Sequence, residues 1–77
     1  MSRVFVDDGL LSWEAYASGG RFGVSEDPKI IFHCLSDPAR RARFIVHGGD
    51  GEEAEERVHS LPEEALKELL LESRELE

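Results

Sequence analysis

A chain of 77 residues forms one domain at most, and it buries roughly 60–65% of the surface that its unfolded form exposes. Its 40% hydrophobic content suffices for a small core, and its single cysteine excludes an intramolecular disulfide. The formal net charge of −8 sits in the last thirty residues, because residues 1–47 balance and residues 48–77 carry eleven acidic side chains against three basic ones. Such a surface repels phosphate backbones and anionic lipid. Apolar runs such as Ile30-Ile31-Phe32 are only three residues long, so no membrane span is expected. Met1-Ser2-Arg3 opens into a strand-like run without a signal peptide, and a reducing cytoplasm is the expected location.

The first predicted elements are strands over about 3–7 and 10–17. Asp8-Gly9 lies between alternating runs, where a two-residue hairpin turn needs the positive φ that Gly and Asp tolerate. That turn sets Val6 opposite Leu11, Val4 opposite Trp13 and Arg3 opposite Glu14. Val4, Val6, Leu11, Trp13 and Ala15 then share a core face, and Phe5 and Tyr16 share the other. Residues 18–28, with glycines at 19, 20 and 23, read as a loop from which Phe22 and Val24 add a short rung or fold back.

Strands over about 29–35 and 41–47 form a second hairpin through Ser36-Asp37-Pro38-Ala39-Arg40, whose residues favour turns. Pairing Leu35 with Arg41 sets Cys34 opposite Ala42, Phe32 opposite Phe44 and Ile30 opposite Val46, an apolar face. Ile31, His33, Leu35, Arg41, Arg43, Ile45 and His47 occupy the mixed face. Residues 48–59 are expected to form an exposed connector, irregular or weakly helical. A helix is predicted over about 61–75, with Ser60 and Glu63 as a capping box, Pro62 in the first turn, and Leu66, Leu69 and Leu70 as an apolar stripe beside Leu61 and Ala65. The predicted fold is α+β in the order ββββα, an antiparallel sheet of about four strands with one C-terminal helix packed on it.

Candidate chemistry is sparse. Zinc needs three or four converging ligands, but adjacent His33 and Cys34 point to opposite faces of a strand, and His47 and His59 lie elsewhere. Cys34 is expected as a small core residue and the histidines as surface ones. On the apolar face with Phe32 and Phe44, burial is expected to disfavour the reactive thiolate, and no helix begins there to favour it. The glycine stretches match neither a phosphate loop nor a calcium loop. No cofactor, metal or catalytic constellation is therefore expected. The stronger feature is the mixed sheet face, where Phe5, Tyr16, Ile31, Arg41, Arg43 and Ile45 form a candidate binding surface for another protein or a second copy of the chain. The alternative is a nucleic-acid-associated regulator using Arg40, Arg41 and Arg43, which the net charge disfavours.

The chain resembles a loose group of short, uncharacterised bacterial proteins. The resemblance is carried by Val4-Phe5-Val6-Asp7-Asp8-Gly9, Trp13-Glu14, the Arg40-Arg41 pair, and Ser60 followed by Leu66, Leu69 and Leu70. It implies hairpins followed by a C-terminal helix, and no particular activity or functional residue.

Overall fold

The turn after Val6 decides which way the first hairpin faces. In the computed structural model, which describes residues 2–19 and 27–76, strand β1 (Ser2–Val6) pairs antiparallel with β2 (Ser12–Ser18). The turn is wider than the Asp8-Gly9 pair alone. Asp7 and Leu11 close it through Asp7 N to Leu11 O at 2.9 Å, and Leu10 N donates to Asp7 O at 3.0 Å. Leu10 takes the left-handed conformation, φ 66°, that was expected of the turn's glycine. This is the three-residue hairpin loop, a tight turn followed by one left-handed residue. Two further bonds hold it, from Gly9 N and Leu11 N to Asp7 Oδ1 at 2.8 and 2.9 Å.

The wider loop shifts the register by one residue. Phe5 lies opposite Trp13 and Val4 opposite Glu14, so Phe5 joins Trp13 and Ala15 in the core while Val4 and Val6 are exposed. A slip of one residue moves a strand's whole set of side chains to the other face. Here it buries a phenyl ring in place of two valines.

The second hairpin is corrected in the same way. Strand β3 (Lys29–Cys34) pairs with β4 (Arg43–Val46), with Ile30 opposite Ile45, Ile31 opposite Phe44 and Phe32 opposite Arg43. The expected turn forms, with Arg40 N bonded to Asp37 O at 3.1 Å and Ala39 N to Asp37 Oδ1 at 3.1 Å. The chain then runs on to Arg43 before pairing begins. Arg43 and Ile45 therefore share the core side with Ile30, Phe32 and Cys34, and Phe44 and Val46 take the opposite side. The predicted rung at Phe22 and Val24 lies outside the described residues.

Two helices replace the single predicted one. Helix α1 (Gly51–Ser60) occupies the expected connector. Asp50 caps it, its Oδ1 accepting from Glu53 N at 2.8 Å, and Glu52 and Glu53 sit in the first turn, where the helix dipole favours negative charge. Gly51, Ala54 and Val58 form its narrow buried stripe. Gly49, just before the cap, has φ +100°, a conformation that other residues rarely adopt.

Helix α2 (Glu63–Glu72) begins at Pro62 without a side-chain cap, because Ser60 is the last residue of α1 and so does not cap α2. Leu66, Leu69 and Leu70 are buried, as the stripe predicted. After Ser73 a two-residue strand, β5 (Arg74–Glu75), pairs with Phe44 and Arg43 of β4. The sheet order is β1-β2-β3-β4-β5 and all pairs are antiparallel. Both helices pack on one face over Phe5, Trp13, Ala15, Ile30, Phe32 and Cys34, with Phe5 and Phe32 edge to face at 6.1 Å.

Two arginines join the layers. Arg3, on the helix side of β1, donates from Nη1 to Val58 O, His59 O and Leu61 O at 3.1, 3.1 and 2.7 Å, closing the C-terminal end of α1. Arg43, on β4, donates from Nε to Ser73 Oγ at 2.9 Å and from Nη2 to Ser73 O, just past α2. A cation there satisfies orphan carbonyls and complements the dipole. The last turn of α2 has no basic residue of its own.

Arg3→Ala and Arg43→Ala are each expected to destabilise the fold by about 1–3 kcal/mol, read from urea unfolding midpoints, because part-buried carbonyls at the helix ends lose a charged donor. The two sites share no partner, so the double variant is expected to lose the sum to within about 0.5 kcal/mol. A loss below about 0.5 kcal/mol for either would show that its bonds contribute little.

Candidate functional site

The six residues proposed from sequence do not form one surface. Phe5 is core, 3% exposed, and Ile45 packs against the same core. Arg43 is turned to the helix side and held by Ser73. Arg41 precedes β4 and is exposed. Only Tyr16 and Ile31 stay on the sheet face that neither helix covers, where they pair with each other across β2 and β3. The physical reason is the one-residue register shift in each hairpin.

The face opposite the helices nevertheless has an apolar centre among the described residues. Tyr16, Ile31 and Phe44 are directly cross-strand neighbours on β2, β3 and β4, ending at Arg74 of β5. Val4 and Val46, 60% and 54% exposed, lie on the same face in the adjoining rows. Glu14, His33 and Lys29 add polar groups around them. Val4, Phe44 and Val46 were missed because both hairpins were set one residue out. The run Phe44-Ile45-Val46 alone could not say which side holds one residue and which holds two.

The arginines gather elsewhere. Arg40, Arg41 and Arg43 line a cleft of about 440 Å³ with Asp7, Trp13, Ala39, Leu70, Leu71 and Glu75. The turns of both hairpins, α2 and β5 all contribute, so the cleft exists only in the assembled fold. It brings three guanidinium groups against two carboxylates on a chain of strongly negative total charge. Arg40 pairs with Asp37 at 3.4 Å, whereas Arg41 forms no ion pair among the described residues. Leu71 stands on the rim, 82% exposed. Three consecutive leucines on a helix cannot all face the same sheet, and that was the available sign that one of them looks outward.

Asp7 organises the wall of this cleft. Besides its two turn bonds, its Oδ2 accepts from Trp13 Nε1 at 2.8 Å. Burial pushes its pKa up, but hydrogen bonds from Leu11, Trp13 and Gly9 and the charge of Arg40 outweigh this and hold it below its usual 3.8. Beyond Leu70 and Leu71, Lys67 bridges Asp8 and Glu64, each at 3.4 Å. The hydrogen bond to Asp8 is the main cause that raises its pKa, against slight desolvation and with help from Glu64.

Cys34 is buried on the core face, and its sulfur lies 3.9 Å from Ser36 Oγ. His33 is exposed on the opposite face, whereas His47, expected at the surface, is buried, and its Nδ1 has no hydrogen-bond partner among the described residues. No three His, Cys, Asp or Glu side chains gather to hold a metal ion among the described residues, and no described helix is long and apolar enough to cross a membrane.

No protein-family model matches this chain, and searches of the curated proteins and of the solved structures find no match either.

A carboxylate with a lowered pKa binds fewer protons folded than unfolded near its midpoint. Its contribution to stability is present above 3.8 and is lost as the pH falls through the lower folded value. The Trp13 indole N–H resonance is expected to titrate with a midpoint below 3.8, and Asp7→Asn is expected to abolish that titration. A midpoint at or above 3.8 would contradict the bonding described for Asp7.

Proposed function

We propose that this chain is a non-enzymatic protein-interaction module that binds another protein through the face of its sheet opposite the helices. The observation that supports this is the row Tyr16, Ile31 and Phe44 with exposed Val4 and Val46 beside it, on a face that neither helix covers. An apolar centre with polar groups around it is the usual anatomy of a binding surface. The partner would present a matching apolar strip, since the face itself carries few charges. The strongly acidic residues lie in the two helices on the other side, where they favour solubility and discourage collapse onto a second layer. The free thiol of Cys34 suits a reducing compartment such as the cytoplasm.

Amide shifts on titration with partners recovered by native pull-down are expected to map to residues 14–17, 29–33 and 44–46. Ile31→Glu places a charge at the centre of the row and is expected to weaken binding by about 30-fold or more, as for a central anchor residue, while leaving the folded amide spectrum intact. Light scattering on the isolated chain is expected to give a monomer. A dimer abolished by Ile31→Glu would instead make the partner a second copy. Shifts confined to the helices would reject this face.

A further inference from the structure

On the other side of the sheet, we infer that the arginine cleft is a receptor for the C-terminal carboxylate of a partner polypeptide whose last side chain is apolar. The cleft combines the two chemistries that such a chain end carries on one residue. Its cationic part is Arg40, Arg41 and Arg43, and its apolar part is Leu70 and Leu71. A guanidinium matches a carboxylate with two parallel hydrogen bonds, which a point charge does not. Arg43 is already oriented by Ser73, so it loses little freedom on binding, and among the described residues Arg41 has a guanidinium free of ion pairs. Asp7 does not compete for the arginines with its whole charge, because both of its oxygens accept hydrogen bonds from the hairpin and from Trp13. Glu75 in the lining and Asp37, paired with Arg40 at 3.4 Å, set a limit: they answer part of the positive charge, which suits one carboxylate better than a polyanion.

The size agrees. About 440 Å³ lies at the small end of ligand pockets and admits the end of a chain rather than a long segment. The exposed Leu71 has no packing role on α2, and it stands where the last side chain of such a peptide would lie. A nucleic acid meets the same arginines but also Asp7 and Glu75 in the cleft and the net charge of −8 on the chain, which repel a phosphate backbone.

The test is an NMR titration of the full chain at low salt with three N-acetylated tetrapeptides ending in leucine, valine or phenylalanine, each as the free acid and as the C-terminal amide. At least one free acid is expected to shift the amides of residues 39–43 and the Trp13 indole, with saturation by about 5 mM. Its amide is expected to bind about tenfold more weakly or not at all, and Arg41→Gln, an exposed position outside the strands, is expected to weaken the acid about tenfold with the folded spectrum unchanged. Leu71→Asp is expected to remove the preference for an apolar last residue. No shift with any free acid, equal binding of acid and amide, or an oligonucleotide in about 50 mM salt displacing the peptide from residues 39–43 would overturn the inference. The signals monitored differ from those of the uncovered sheet face, so failure of either proposal is read separately.

Discussion

The architecture depends on where two guanidinium groups are placed. Arg3 on the first strand and Arg43 on the fourth both project to the helix side of the sheet, and each meets the carbonyl-rich end of a different helix. Between them lies the core of Phe5, Trp13, Ile30, Phe32 and Cys34 on the sheet, facing Val58, Leu66, Leu69 and Leu70 of the helices. Burial of these side chains supplies the driving force, but burial is non-directional. The arginine bonds are directional, and they set how far along the sheet each helix can sit. A small domain with a limited core benefits most from such constraints.

The same placement explains why this side of the molecule tolerates so much negative charge. The helices carry nearly all of the excess acid on their outer surfaces, while their C-terminal ends are answered by cations from the sheet. The sheet layer is close to neutral. The two layers therefore differ in chemistry: acid is concentrated on the helices, whereas the cleft beside them gathers three arginines from the sheet side.

Much of this was legible in the residues. Ile30, Phe32 and Cys34 alternate and are buried together, Trp13 and Ala15 are core, and Leu66, Leu69 and Leu70 form the stripe that was expected. The register was not legible, for a specific reason. In β1 both alternating sets are apolar, Val4 with Val6 against Phe5, so hydrophobic pattern could not choose between them and the turn had to. The turn residues suggested two loop residues, whereas the bonds accepted by the Asp7 carboxylate favour three. In the second hairpin an arginine lies on the core side because a helix end is there to receive it, which no local pattern reveals. Helix α1 was obscured by its acidic run, although Asp50 followed three residues later by Glu53 marks its start. The cleft draws on both hairpin turns, β2, β4, α2 and β5, and has no linear signature.

Arg3 reaches Leu61 across 58 positions, and the sheet's last strand is the pair Arg74–Glu75. Fold completion thus waits on long-range closure rather than on local segments. On a ribosome, the first hairpin would emerge long before anything could cover its apolar side. The nascent polypeptide would carry a bare Phe5–Trp13 surface until both helices were outside the exit tunnel, so its exposure to chaperones is set by how fast the residues after the first hairpin are translated and released.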